Sequence, residues 1–167
     1  MASVTIAVLV RNQFGVLNRV TSMFRRRRFN IQSLTVSETE SVDFSRITIR
    51  FEGEKAERQQ LIDQLYKLPD VCFIQELRDA DSVSRELMLI KVKNDAAHRQ
   101  DVKDAAEAFG AKVVDYTRES VMMQMTGSSQ RIDAFIDLMS DYTILEICRT
   151  GIVSLERGGA TIRKDID

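Results

Sequence analysis

A chain of 167 residues with 44% hydrophobic residues is long enough for one ordinary domain or two small ones, each with its own apolar core. Its 24 Lys and Arg residues nearly balance its 25 Asp and Glu residues, and the net charge of -1 excludes a whole-chain attraction to nucleic acid or anionic lipid. No apolar stretch approaches the roughly 20 residues that span a bilayer, and the N-terminus has no basic region followed by an apolar block. We therefore expect a cytoplasmic chain that contacts neither membrane nor nucleic acid.

The first half of the chain alternates between strand and helix patterns. Apolar, β-rich runs predict strands over residues 3–10, 29–36, 45–51 and 71–77. Apolar residues at three and four residue spacings predict helices over residues 16–28 and 54–68, and Pro69 stops the second helix. The charged, turn-prone residues 38–43 predict a hairpin between the second and third strands.

The same order of elements recurs after the charged residues 78–82. Strands are predicted over residues 85–92, 111–116, 120–125 and 143–148, with helices over residues 101–109 and from residue 128 onward. The chain therefore predicts an α+β fold of two tandem ferredoxin-like βαββαβ units, each a four-stranded antiparallel sheet with both helices on one face. We place the first domain at residues 1–78, a linker at 79–84, the second domain at 85–157 and a polar tail at 158–167.

Few residues are arranged for catalysis. The single histidine, His98, lies in a polar segment near a predicted helix start, where a surface or capping role is expected. The two cysteines, Cys72 and Cys148, lie inside separate apolar runs, which is typical of buried reduced thiols and gives no metal-ligand spacing. Phosphate-binding loops and nucleophile elbows are also missing from the sequence. We therefore predict no catalytic residue, metal or cofactor in this chain.

The strongest charge feature is the run of four arginines at residues 25–28. It falls in the last turn of the first predicted helix, where cations complement the negative end of the helix dipole. An RNA-binding module is the sharper alternative, but such a sheet needs aromatic residues on its central strands. The strand over residues 45–51 offers only Phe51. A solvated basic face is therefore the preferred interpretation.

The segment of residues 12–17 carries the functional signal. It joins the end of a strand to the start of a helix, where backbone N–H groups have no intrahelical partner and attract a ligand carboxylate. Gly15 allows a small molecule to approach the backbone closely, although a glycine needed only for turn geometry is the alternative. Asn30 can both donate and accept, and Val16, Leu17 and Ile31 can form an apolar wall for an aliphatic side chain. We expect such a site to form between two protomers, because burial has to supply most of the affinity.

These residues also carry a resemblance. The chain resembles the small regulatory subunits of acetohydroxyacid synthase, also called acetolactate synthase, over nearly its whole length. In the first half the matching stretches are Asn12 and residues 15–20 (GVLNRV), 29–36 (FNIQSLTV), 45–49 (SRITI) and 64–68 (QLYKL). In the second half they are residues 85–92 (RELMLIKV), 126–127 (TG), 149–151 (RTG) and 157–158 (RG).

The resemblance implies a function and a partner. It implies that the first domain is an ACT domain, which forms a homodimer by edge-to-edge sheet pairing and binds valine or another branched-chain amino acid at the dimer interface. By residue-wise matching, the effector contacts are Asn12, Gly15, Val16, Leu17, Asn30 and Ile31. The implied partner is a catalytic large subunit that carries thiamine diphosphate, magnesium and FAD, and that this chain activates and makes sensitive to feedback inhibition.

A departure beside the proposed site and one alternative accompany this resemblance, while the departures at Thr143 and Ser154 lie in the second half of the chain. The family usually has glycine at the end of the first helix, where a left-handed cap is wanted, but this chain has Arg28. A stand-alone amino-acid sensor that controls a different enzyme or a transcription factor remains the alternative, since it rests on the ACT-like half alone.

Overall fold

The computed structural model describes residues 3–163, which divide into two compact units. The first unit contains the residues up to 83 together with those from 152 onward, and the second contains residues 84–151. The C-terminal segment therefore packs with the first unit, whereas the sequence analysis extended the second domain to residue 157. No helix among residues 3–163 is long and apolar enough to cross a membrane.

The first unit has the element order that the sequence predicts. It contains β1 (Ser3–Arg11), α1 (Val16–Arg26), β2 (Ile31–Glu38), β3 (Phe44–Glu52), α2 (Lys55–Leu65) and β4 (Val71–Leu77). The four strands form an antiparallel sheet in the order β2-β3-β1-β4, so β2 is an edge strand. The Glu54 side chain and the side chain of Glu57 close a capping box that fixes the start of α2.

Both helices of the first unit cover one face of its sheet. Alternate residues of β1, including Ile6 and Val8, share a buried cluster with Val20 and Phe24 of α1 and with Leu61 of α2. This alternation is expected because successive strand residues point to opposite faces. The rings of Phe24, Phe29 and Phe51 meet edge to face, with centroid separations of 5.2–6.4 Å, and close the end of this core.

The opposite face of the same sheet is covered by the C-terminal segment. Ala7 and Leu9 of β1, together with Leu77, form a second buried cluster with Ile162. A short strand, β9 (Val153–Glu156), lies in this segment and was missed by the sequence analysis. The sequence left open what covers this face, and the structure shows that the chain itself does.

The second unit repeats the arrangement. It contains most of β5 (Ser82–Lys93), then α3 (Arg99–Phe109), β6 (Lys112–Tyr116), β7 (Ser120–Gly127), α4 (Ser129–Met139) and β8 (Ile144–Arg149). Its main strand order is β6-β7-β5-β8, and its core contains Met88, Ile90, Met123 and Phe135. The predicted fold class, two tandem ferredoxin-like units, is confirmed.

The prediction of buried thiols is wrong for Cys148. Cys72 is partly buried, whereas Cys148 is exposed, and both are free. The reason is strand alternation, because the neighbouring Ile147 packs against the core and turns Cys148 to the outer face of β8.

Candidate functional site

The loop between β1 and α1 contains the first predicted site residues. Gly15 is the N-cap of α1 and has a left-handed backbone with φ 79° and ψ -2°. A side chain here is strained by that φ, and a Cβ placed on Gly15 lies 3.2 Å from Nη1 of Arg19. Backbone geometry and a close approach therefore both select glycine, which leaves the loop backbone uncovered by a side chain at this position.

The N-terminus of α1 offers backbone donors to an anion. Val16 N–H donates to Gln13 O at 3.4 Å, and Arg19 N–H donates to Gly15 O at 3.0 Å. The N–H groups of Leu17 and Asn18, which lie between them in the first turn, have no intrahelical acceptor. No acidic residue occupies this first turn, so the helix does not complement its own positive end.

Arg19 holds this loop in place. Its Nε and Nη2 atoms donate to Oδ2 of Asp70 at 3.0 and 2.5 Å, and Nη2 also donates to Phe14 O at 3.4 Å. Asp70 is only 8% exposed, and its carbonyl oxygen accepts from Arg11 N–H at 2.9 Å. Through Asp70, which precedes β4 and accepts from Arg11 of β1, the ion pair connects α1 to these two neighbouring strands. Sequence reasoning missed this role, since Arg19 and Asp70 are brought together by the fold and no local pattern links them.

Asn12 fixes the loop to the hairpin between β2 and β3. Its Nδ2 atom donates to Oε1 of Glu38 at 3.2 Å and to Val42 O at 3.0 Å, while its backbone N–H donates to Asp43 O at 2.8 Å. Because both side-chain bonds use Nδ2, Oδ1 is the atom that can accept from a ligand. Asn12 is thus both a contact candidate and a structural tie.

Asn30 and Ile31 lie at the opposite end of the sheet from this loop. Ile31 pairs with Phe51, which pairs with Val4, whereas Glu38, the residue that contacts Asn12, pairs with Ser45. The length of β2 separates the two groups by roughly 20 Å at about 3.3 Å per residue. A single chain therefore brings Asn12, Gly15, Val16 and Leu17 together, but not Asn30 and Ile31.

Large apolar side chains are exposed around the loop and along the β2 edge. Phe14 is fully exposed at 103%, and Leu17, Val36 and Val42 are exposed as well. Soluble proteins rarely leave contiguous apolar surface open without a partner. These four side chains give the first unit an exposed apolar surface next to the loop.

Two cavities lie away from this loop, one in each unit. One of about 170 Å³ in the first unit is lined by residues that include Ser3, Arg50, Arg58 and Arg78. One of about 140 Å³ in the second unit lies on the outer sheet face, beside Leu89. None of the six predicted effector residues lines either of these two cavities.

The metal-ligating side chains of the described residues are scattered. Among residues 3–163, no group of three or more His, Cys, Asp or Glu side chains could hold a metal ion. His98 is exposed before α3, with Nδ1 at 3.8 Å from Oδ2 of Asp101. That distance exceeds a hydrogen bond and leaves the imidazole solvated.

The fold, with a glycine-capped loop at a helix start, defines the first unit as ACT-type, followed by a second ferredoxin-like unit. The family "AHAS small subunit-like ACT domain" matches residues 6–73, and the family "Small subunit of acetolactate synthase" matches residues 85–158. The chain belongs to the family of acetolactate synthase small subunits.

Individual relatives agree over nearly the whole chain. A probable acetolactate synthase small subunit of Archaeoglobus fulgidus is 46% identical over 92% of this chain and 96% of its own. The acetolactate synthase small subunit of Bacillus subtilis is 43% identical over 92% of this chain and 90% of its own. The crystal structure of the small subunit from Thermotoga maritima superposes with a TM-score of 0.87 at 34% identity, covering 96% of this chain and all of that one.

Proposed function

We propose that this chain is the regulatory subunit of acetohydroxyacid synthase, which activates a catalytic large subunit and makes it sensitive to valine or a related branched-chain amino acid. The observation that carries the proposal is the β1–α1 loop, with Gly15 in a left-handed conformation at an uncompensated helix N-terminus, in a member of this family. Feedback of this kind needs only about 1 to 3 kcal/mol of coupling between effector site and catalytic partner.

The effector site is completed by a second copy of the chain. β2 is an edge strand, and antiparallel pairing of two β2 strands about their middle residues puts the Ile31 end of one strand beside the Glu38 end of the other. Glu38 contacts Asn12, so Asn30 of the second copy comes next to the loop of the first. This pairing reconciles the six predicted residues with their separation in one chain, and it covers the exposed edge of the sheet.

The loop suits a zwitterion of modest size. The N-terminal amides of α1 receive the carboxylate, which contributes about 0.3 to 1 kcal/mol when exposed. Oδ1 of Asn12 and the side chain of Asn30 from the second copy can accept from the ammonium group. Leu17 and Ile31 then bound the aliphatic side chain, whereas the predicted contact Val16 is only 4% exposed and packs into the core, so its side chain offers no wall. Burial between the two copies supplies the larger share of affinity.

The partner supplies the chemistry. We assign thiamine diphosphate, magnesium and FAD to the catalytic subunit, as the family resemblance implies, and we assign no cofactor to this chain. We assign sensing to residues 1–78, and contact with the large subunit transmits the effector response. Because the net charge of this chain is close to zero, it recognises the large subunit through a local surface and not through overall charge.

Reconstitution tests this proposal. Purified chain is mixed with the catalytic large subunit, and acetolactate formation is measured with and without valine, leucine and isoleucine. We expect no turnover by this chain alone, a higher rate with both subunits, and inhibition by at least one of the three amino acids. A rate that is neither raised by the chain nor lowered by any of them contradicts the proposal.

If the chain is a stand-alone sensor, it binds an amino acid without associating with the large subunit, and a pull-down with that subunit separates the two proposals.

The RNA-binding alternative lacks an exposed aromatic residue on which a base could stack, because Phe51 is fully buried in the core against Phe24 and Phe29.

A further inference from the structure

The C-terminal segment grips the β2–β3 hairpin through Arg163. Nη1 of Arg163 lies 2.9 Å from Oε1 of Glu40, and its guanidinium stacks over the ring of Phe44 at 4.9 Å from the centroid. Nη2 also donates to Oγ1 of Thr39 at 3.4 Å. The Arg163 side chain, which is only 28% exposed, thus contacts Thr39, Glu40 and Phe44 at the β2–β3 hairpin. Partial burial makes such charge pairing stronger than at an open surface.

The segment that carries Arg163 is itself anchored to the first unit. Ile162 is buried against Leu9 and Leu77 on the second face of the sheet. Nη2 of Arg46 donates to Ser154 O at 2.7 Å. Burial lowers the pKa of Arg46, and the neighbouring Glu40 and Glu156 oppose that effect. These contacts fix the backbone that precedes Arg163 to the first unit.

The other side of the same hairpin holds the effector loop. Asn12 bonds Val42 O and Asp43 O, and its Nδ2 also reaches Glu38. Between the two contact sets the turn is stiff, because Oγ1 of Thr39 donates to Ser41 O at 3.0 Å and accepts from Ser41 N–H at 3.2 Å. A displacement of the hairpin at its Arg163 side is passed to Asn12 over a few bonded residues.

We infer that Arg163 is a positioning residue for amino-acid sensing, which acts through the hairpin of residues 39–43 on Asn12. The inference rests on the proposed function, since it concerns the same effector site. Arg163 acts by fixing the hairpin that orients Asn12.

The test is valine affinity by titration calorimetry on the intact chain. Arg163→Gln removes the ion pair and the stacking, and we expect the valine Kd to rise about fivefold. Arg157→Gln is the matched control, because Arg157 lies in the same segment and is exposed, with only its backbone N–H bonded, to Asp81 O. Its Kd should stay within a factor of two of the unmodified chain, by analogy with other surface changes.

Two further variants separate positioning from stability. Glu40→Gln breaks the ion pair at a side chain that is 72% exposed, so the fold is retained and the Kd should rise in the same direction. Arg163→Glu should weaken binding further, and adding Glu40→Arg should recover part of that loss. Unchanged valine affinity in Arg163→Gln and Glu40→Gln, or no recovery in the charge-reversed pair, overturns the inference. Failure of the unmodified chain to bind any branched-chain amino acid contradicts the proposed function instead.

Discussion

Arg28 adopts a left-handed backbone at the end of α1, with φ 59°, and within residues 3–163 no other non-glycine residue has a positive φ. Phe29 N–H donates to Phe24 O at 3.0 Å across it, which closes the helix and aims the chain toward Asn30. The family resemblance predicts that a glycine is favoured here, and the observed conformation agrees. The strain is therefore a local cost that this chain retains beside a proposed effector residue.

Arg28→Gly is expected to stabilise the first unit. The left-handed conformation costs an L-residue about 1 to 2 kcal/mol, while glycine adds unfolded-state entropy of about 0.4 to 1 kcal/mol. We expect urea titration to show a free energy of unfolding that is about 0.5 to 1 kcal/mol higher. Arg27→Gly, at φ -95°, relieves no such strain and should be neutral or destabilising. A loss of stability in Arg28→Gly as large as in Arg27→Gly contradicts the account.

Asn30→Ala is expected to separate sensing from activation. The side chain is exposed, so its loss leaves the fold intact, while the proposed ligand loses a donor and acceptor. A lost hydrogen bond to a charged group corresponds to about 1.5 to 3 kcal/mol, or at least a tenfold rise in the valine concentration that gives half inhibition. Acetolactate assays of the reconstituted enzyme measure both responses. An equal loss of activation and inhibition indicates a folding defect and contradicts a sensing role.

At this scale the sequence supplies the candidates but not their partners. Asn12 and Gly15 can be predicted because loop chemistry is local, and the turn geometry of Gly15 follows from its position before a helix. The tie between Arg19 and Asp70 depends on how β4 returns beside β1. The bonds from Asn12 to the hairpin likewise exist only after β2 and β3 pair.

The C-terminal segment, which packs on the first sheet, is the part of the first unit that the sequence did not predict. Its strand β9 has only four residues, and periodicity over so short a stretch is not distinguishable from loop. The longer elements were predicted correctly, β4 with identical bounds, because each contains several apolar residues at one spacing. Which face the segment covers depends on contacts far apart in the sequence, such as those of Ile162 with Leu9 and Leu77, and could not be predicted locally.

Ile162→Ala tests the structural role of this segment. Ile162 is 8% exposed and fills the second face of the first sheet. Its truncation removes buried apolar area and leaves a void, which should lower the free energy of unfolding of the first unit by about 2 kcal/mol. Thr161→Ala, one residue earlier and exposed, is the control and should change it by less than about 0.5 kcal/mol. Equal effects of the two changes would contradict packing by Ile162.

For the whole molecule, the proposed assembly predicts a dimer built on the β2 edge. Val36→Glu adds a charge to an apolar side chain of that edge strand, 41% exposed, which the partner strand covers in the proposed dimer. Sedimentation equilibrium should show that the dissociation constant of the dimer rises at least tenfold, with a parallel loss of valine binding. Val114→Glu, on the edge strand β6 of the other sheet and 48% exposed, is the matched control. An unchanged dimer in Val36→Glu rules out this edge.

The most direct test of the central claim, that the effector site is shared by two copies, is complementation between two defective chains. Asn12→Ala and Asn30→Ala chains are co-expressed with different affinity tags, and the mixed dimer is purified through both tags for valine calorimetry. Each homodimer has two damaged sites, whereas the mixed dimer combines one doubly damaged site with one unmodified site. We expect one valine to bind per mixed dimer with the affinity of the unmodified protein, against weak binding by both homodimers. A mixed dimer that binds as weakly as its parents would show that Asn12 and Asn30 do not meet across a shared interface.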